Sequence, residues 1–220
     1  MSGSLRSAIA TGILVAVFPL APALAQGEPS AMKEDNVHVR TWNQFANDIL
    51  ELHRSHVGAQ PTEKKTRIGG YMDMPQFYRE ESHYDAETGR LLSRVQWERE
   101  DPEAMHSIEL FIYDDQGRLK REYSAAYLPT YRNAPTQTLI TFYNHAGELH
   151  GLRSFDASGY RIFERCEGEY AGEDVYFMLD EGEIHEAKRD KSSIMYSDVY
   201  KTCFAGLPET AEGQLSPTLD

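Results

Sequence analysis

Between Thr41 and His56 the apolar positions Trp42, Phe45, Ile49 and Leu52, followed by His56, recur at alternating spacings of three and four. That repeat predicts an amphipathic helix, with Thr41 as N-cap, Gln44 completing a capping box and Gly58 as the stop. A helix with such a stripe has to lie on an apolar surface. The polar residues 26–40, with Gly27, Pro29 and Ser30, predict a flexible lead-in, and the polar run 60–67, with Pro61, predicts a linker.

Beyond Tyr71 the period changes from helical to two. Leu91, Ser93, Val95, Trp97 and Arg99 alternate with Leu92, Arg94, Gln96 and Glu98, and Ile108, Leu110 and Ile112 alternate with Glu109, Phe111 and Tyr113. These are strands. Further strands are expected over 76–84, 119–128, 136–143, 148–155, 160–169, 174–179 and 183–188. Near the end, Met195, Val199 and Cys203 recur every four residues, with Gly206 and Pro208 just beyond. A short helix fits that spacing, and a last strand is the competitor because Ile194, Val199 and the tyrosines also favour sheets. Residues 207–220, with Pro208, Gly213 and Pro217 among polar positions, are expected to form a mobile tail.

The turns between strands look alike. Tyr84-Asp85-Ala86-Glu87-Thr88-Gly89-Arg90-Leu91, Tyr113-Asp114-Asp115-Gln116-Gly117-Arg118-Leu119 and Tyr143-Asn144-His145-Ala146-Gly147-Glu148-Leu149 share an aromatic, an Asp or Asn, a Gly, a polar residue and a Leu. Phe155 to Tyr160 and Leu179 to Ile184 are looser copies. Asp or Asn closes the start of such a turn with its side chain, and Gly accepts the positive φ that ends it. Through Tyr113-Asp114 with Gly117-Arg118-Leu119 and the matching runs, residues 78–185 resemble the Tyr-Asp hairpin repeats of RHS-type proteins. The resemblance implies stacked hairpins that build a shell, with no catalytic residue belonging to the repeat itself. The uneven glycine positions 89, 117, 147, 159 and 182 depart from a regular repeat of that kind.

The apolar residues are spread evenly over the 220-residue chain, which argues for one domain spanning 41–206. At its N-terminus, Arg6, an apolar run from Ile9 to Leu20 and Ala23-Leu24-Ala25 make up a signal peptide, residues 1–25, cleaved before Gln26. The run is shorter than the roughly 20 residues a membrane span needs. The mature protein is therefore expected in the periplasm or secreted, with no membrane span. Losing Arg6 takes the formal charge from -13 to -14. Such an acidic surface repels phosphate backbones, so nucleic acid is not an expected partner. Export also makes Cys166 and Cys203 a disulfide, worth roughly 4 kcal/mol in the chain-entropy model.

Candidate chemistry is sparse. His53 and His56 sit three apart on the helix, within reach of one metal ion, although a third ligand cannot be assigned and His56 falls on the apolar stripe. His145 and His150 flank the third turn. Among the paired carboxylates, Glu98 and Glu100 share a strand face and suit acid and base roles, whereas adjacent Glu80 and Glu81 point to opposite faces. No nucleophile elbow, phosphate loop, dinucleotide fingerprint or cofactor motif is present. Trp97, Tyr123, Tyr127 and Tyr131 form either half of a core or a stacking surface.

The expected fold is α+β, mostly β: a curved antiparallel meander of about eight or nine strands, the N-terminal helix packed on it, with a small closed β-barrel as the alternative. The expected function is that of an exported, soluble, non-enzymatic binding protein that uses an aromatic sheet face or a strand edge to hold a protein, peptide, glycan or lipid. A metal-dependent or carboxylate-based periplasmic enzyme is the alternative.

Overall fold

The computed structural model describes residues 37–129, 131 and 133–220. The expected signal segment 1–25 and most of the lead-in lie outside them. Helix α1 (Val37–Gly58) comes first. The strands follow as β1 (Thr62–Gly69), β2 (Tyr78–Asp85), β3 (Leu91–Glu98), β4 (Met105–Tyr113), β5 (Leu119–Ala126), β6 (Gln137–Ala146), β7 (Leu149–Phe155), β8 (Arg161–Tyr170) and β9 (Glu173–Asp180). Then come α2 (Glu181–Ala187), a 3-10 turn at Ile194–Tyr196, α3 (Asp198–Cys203) and a second 3-10 turn at Glu212–Gln214. Each strand pairs antiparallel with the next in sequence. The nine strands thus form an open meander with edges at β1 and β9, and the sheet does not close into a barrel.

Helix α1 lies across β3, β4, β5 and β6. Phe45, Ala46 and Ile49 are buried against Val95, Ile108, Leu110, Tyr123, Ala125 and Ile140. Burying one such large apolar side chain contributes about 2 kcal/mol. The buried positions Val39, Phe45, Ala46, Ile49 and His53 place the stripe's centre one residue over from the expected 45/49/52/56 line. The helix also begins before Thr41, whose hydroxyl donates back to the Val37 carbonyl at 2.9 Å, while Gln44 bonds Asp48 instead of closing a capping box. Residues 37–40 therefore belong to the helix.

Two other expectations change. The polar run 60–67 pairs with β2 as an edge strand, since an edge needs backbone partners on one side only and charged side chains such as Lys64, Lys65 and Arg67 suit an exposed edge. Residues 183–187 are helical, with Lys188 as the C-cap: the Asp180 side chain accepts from the Glu183 amide and Glu183 reaches back to the Asp180 amide, a capping box that turns the fifth turn copy into the start of α2. The Asp-Gly turn chemistry holds at Asp85, Asp114 and Asp156, each of which accepts backbone amides two to four residues on, with Gly89, Gly117 and Gly159 at positive φ.

The C-terminal segment closes the other half of the same sheet face. The disulfide Cys166–Cys203, with Cα atoms 6.2 Å apart, ties α3 to β8, and Tyr200, Phe204 and Ile184 bury with Leu149 and Leu179 around it. Gly151 makes that approach possible, because a Cβ there would stand 2.3 Å from the Cys203 carbonyl. The tail expected to be mobile is packed: Ala211 is buried, Leu207, Leu215 and Leu219 rest on the core, and buried Arg121 bonds Gln214 and the main-chain oxygens of Thr218 and Asp220.

Beneath the segment lies a buried ion pair. Arg153 Nε donates to Glu164 Oε1 at 2.5 Å, Tyr200 donates to Glu164 Oε2 at 2.7 Å, and Arg153 Nη1 donates to the Pro208 carbonyl at 2.9 Å. Replacing Glu164 by Gln should cost about 3–5 kcal/mol, the penalty of breaking a buried pair and leaving Arg153 only the exposed carboxylate of Glu209. Urea unfolding measures this; a loss below about 1 kcal/mol would mean that Glu164 does not anchor Arg153.

Candidate functional site

The aromatic residues singled out in the sequence fall mostly on the covered face. Tyr123 is fully buried, its ring edge-on to Phe45 and its hydroxyl 3.3 Å from Gln214 Oε1. Trp97 is half-buried against the core beside α1. Tyr127 donates to Asn43 Oδ1 at 3.0 Å, and Tyr131 lies outside the strands in an isolated bridge with Leu128. These four do not form one exposed surface. Glu98, buried, ends β3, whereas Glu100 is exposed in the bend beyond it beside a groove of about 490 Å³ lined by Met74, Pro75 and Phe77. The bend breaks the strand alternation on which their pairing rested.

The histidines are placed individually. His53 is buried beneath α1, with Nδ1 2.8 Å from Ser93 Oγ and its ring edge-on to His83 at 4.9 Å. His56 is half-buried. His145 and His150 oppose each other across β6 and β7, Nδ1 to Nδ1 at 3.1 Å. His145 Nε2 donates to the Leu119 carbonyl, so its Nδ1 accepts from His150. Among the described residues no group of three or more His, Cys, Asp and Glu is arranged to hold a metal ion.

The opposite face of the sheet carries the more organised surface. Strand alternation puts Ile108, Leu110 and Ile112 of β4 under α1, which sends Ser107, Glu109, Phe111 and Tyr113 to the other side. Register extends that side outward in both directions. Arg67 donates to Glu80 at 2.6 and 3.0 Å, Gln96 donates to Glu80 at 2.9 Å, and Ser107 donates to Gln96 at 2.9 Å. Arg94 donates to Glu109 at 2.6 Å, Tyr143 donates to Glu122 at 2.8 Å, and Thr141 and Ser154 share a 2.9 Å bond. These polar rungs form two runs, one across β1 to β4 and one across β5 to β7. Between and beside the rungs stand half-buried Tyr84, Phe111, Tyr113, Tyr143, Leu152 and Phe163, and at the β9 end Tyr176 and Met178 are 66% and 54% exposed.

Electrostatics follow from the rungs. Burial works to raise the Glu80 carboxyl, but the hydrogen bonds from Arg67 and Gln96 and the charges of Arg67 and Arg94 outweigh it and hold the group below its ordinary range. At Glu122 the balance goes the other way: burial, aided by Glu109, lifts its carboxyl above the ordinary range against the Tyr143 hydrogen bond and the Arg94 charge. Burial and Glu122 together raise the Tyr143 phenol. The face thus sets aromatic planes beside two ion pairs, Arg67–Glu80 and Arg94–Glu109. The sequence did contain a signal for it, since Tyr84, Tyr113 and Tyr143 open three of the turn copies in the same phase.

No protein-family model, no curated protein and no solved structure matches the chain.

His53 generates a pH prediction. Burial first, then the neighbouring His83 and Arg54 charges, bring its pKa down from 6.5 to about 4, with Glu81 opposing. The unfolded chain takes up this proton near its ordinary pKa and the folded chain refuses it until about pH 4, so the stabilisation is complete above 6.5 and is lost as pH falls through that window. Unfolding free energy should drop by up to about 3 kcal/mol on going from about pH 7 to about 4, and His53→Gln should remove most of that slope. His56 and His83, lowered by burial, act in the same direction and leave a residual slope. An identical slope in the His53→Gln protein would contradict this account.

Proposed function

We propose that this is an exported, soluble, non-enzymatic binding protein that holds a partner in the periplasm or outside the cell on the helix-free face of its sheet. The observation that carries this reading is the two runs of polar rungs with their rings: aromatic planes and ion pairs lie together on the sheet face to which no helix among the described residues contributes. Tyrosine and arginine of this kind carry much of the binding energy in protein interfaces. Paired charges also need little further compensation when water leaves, which favours a protein or peptide over a glycan or lipid. Export is supported by the N-terminal pattern around Arg6 and Ala25 and by the Cys166–Cys203 bridge, which suits an oxidising compartment. No helix among the described residues is long and apolar enough to cross a membrane.

A carboxylate-based reaction has its best footing on Glu122, the raised carboxyl beside Tyr143 and Glu109, instead of Glu98 and Glu100. Binding is preferred because those groups lie on a broad sheet face, away from the cavities lined by Tyr160, Phe77, Tyr196 and Leu215.

The experiment is a partner capture by crosslinking from the native envelope, repeated with Tyr84→Ala, Phe111→Ala and Phe163→Ala combined. The variant should fold, begin at Gln26 after export, and recover at least about ten-fold less partner, equivalent to about 1.4 kcal/mol. Trp97→Ala should lower the melting temperature and leave capture by the folded fraction unchanged. Full capture by the folded triple variant would show that the helix-free face is not the binding face.

A further inference from the structure

On the opposite side of the sheet, two buried guanidiniums share one exposed carboxylate. Arg153 and Arg161 side chains are 1% and 4% exposed, whereas Glu209, which each of them contacts, is 74% exposed. Arg153 Nη1 donates to Glu209 Oε1 at 3.0 Å and Arg161 Nη1 donates to Glu209 Oε2 at 2.7 Å, so one carboxylate bridges the pair, an oxygen to each. Glu164 lies beneath both cations, 2.5 Å from Arg153 Nε and 3.5 Å from Arg161 Nε.

The surroundings are open and cationic. Arg153 and Glu209 line a cavity of about 360 Å³ with Lys188, Lys201, Tyr196 and Tyr200. Arg161 and Lys188 line a neighbouring one of about 480 Å³ with Tyr160, Glu181 and His185. Lys188 reaches both cavities and makes no ion pair among the described residues, whereas Lys201 is shared with Asp198 at 3.4 Å.

We propose that Arg153 and Arg161 form an anion-binding seat, that Glu209 occupies it as an internal stand-in, and that its external occupant is an oxyanion group, a phosphate or a carboxylate, entering beside Lys188. A guanidinium stays charged at every accessible pH, so burial obliges each arginine to keep an anion. Glu164 supplies one from below. The second comes from a solvent-exposed side chain on the 207–220 segment, and an ion-pair partner held so openly exchanges readily with a competing anion. The two-oxygen bridge is also the geometry by which arginine pairs take phosphate and carboxylate groups. This site lies apart from the helix-free face and does not depend on the function proposed for it.

The test uses the whole mature protein, its Glu209→Ala and Glu209→Gln variants, and an Arg161→Met control. Binding of inorganic phosphate and of acetate is measured by calorimetry at constant ionic strength. In the wild type, arginine Nε–H resonances should shift with phosphate and not with chloride. Removing the stand-in should tighten binding of at least one anion by about ten-fold or more, and Arg161→Met should abolish it. A gain for phosphate alone assigns a phosphate ligand, and an equal gain for acetate assigns a carboxylate. If both Glu209 variants fold and neither anion gains affinity, or if phosphate leaves the wild-type resonances in place, the cluster is a structural lock and the proposal fails.

Discussion

The contact of Phe45, Ala46 and Ile49 with Val95, Ile108, Leu110 and Ile140 decides what every other residue of the sheet can do. A single-layer meander has two faces, and the strict alternation of strand side chains sends each residue to one or the other. Once α1 is seated, Ile108, Leu110 and Tyr123 are committed to the core, and Glu109, Phe111 and Glu122 are committed to the far side. The far side then has to satisfy its charges within the sheet, because no helix among the described residues meets it. Arg67, Glu80, Gln96, Arg94 and Glu109 do so by hydrogen-bonding from strand to strand.

One helix does not cover nine strands, and the C-terminal segment completes the covered face by a different chemistry. Near β7 to β9 the bond from Cys166 to Cys203, the close approach at Gly151 and the Arg153–Glu164 pair supplement a small apolar cluster of Leu149, Leu179, Ile184 and Phe204. The buried ions are costly to bring out of water, and the hydrogen bonds from Tyr200 and to Pro208 offset part of that cost. Two solutions to the same covering problem therefore meet along one face, an apolar helix stripe in the first half and a smaller apolar cluster joined by a disulfide and a buried ion pair in the second.

The architecture was legible wherever period and apolarity agree: α1, the strands β2 to β9 and the short α3 all carry their repeat in the sequence. It was less legible where chemistry other than apolar burial shapes the chain. β1 reads as a linker because its stabilisation is backbone pairing at an edge, and α2 reads as a strand because a capping box outweighs its alternation. The packed tail was hidden because Arg121 and Arg153 hold it through main-chain oxygens, which no side-chain pattern records. The site was harder still. Tyr123 and Phe111 are equally aromatic and both lie on strands, and only the position of α1 separates a core ring from a surface ring.

The central claim is that the helix-free face is occupied in the protein's native setting. Tyrosine-selective footprinting tests it directly, comparing purified protein with the same protein in its native envelope extract. Tyr84, Tyr113 and Tyr176 should be protected in the extract relative to the purified protein, while Tyr160 and Tyr196, exposed beside the cavities of the other face, should react equally in both. Equal labelling of all five tyrosines, or protection confined to Tyr160 and Tyr196, would contradict the claim.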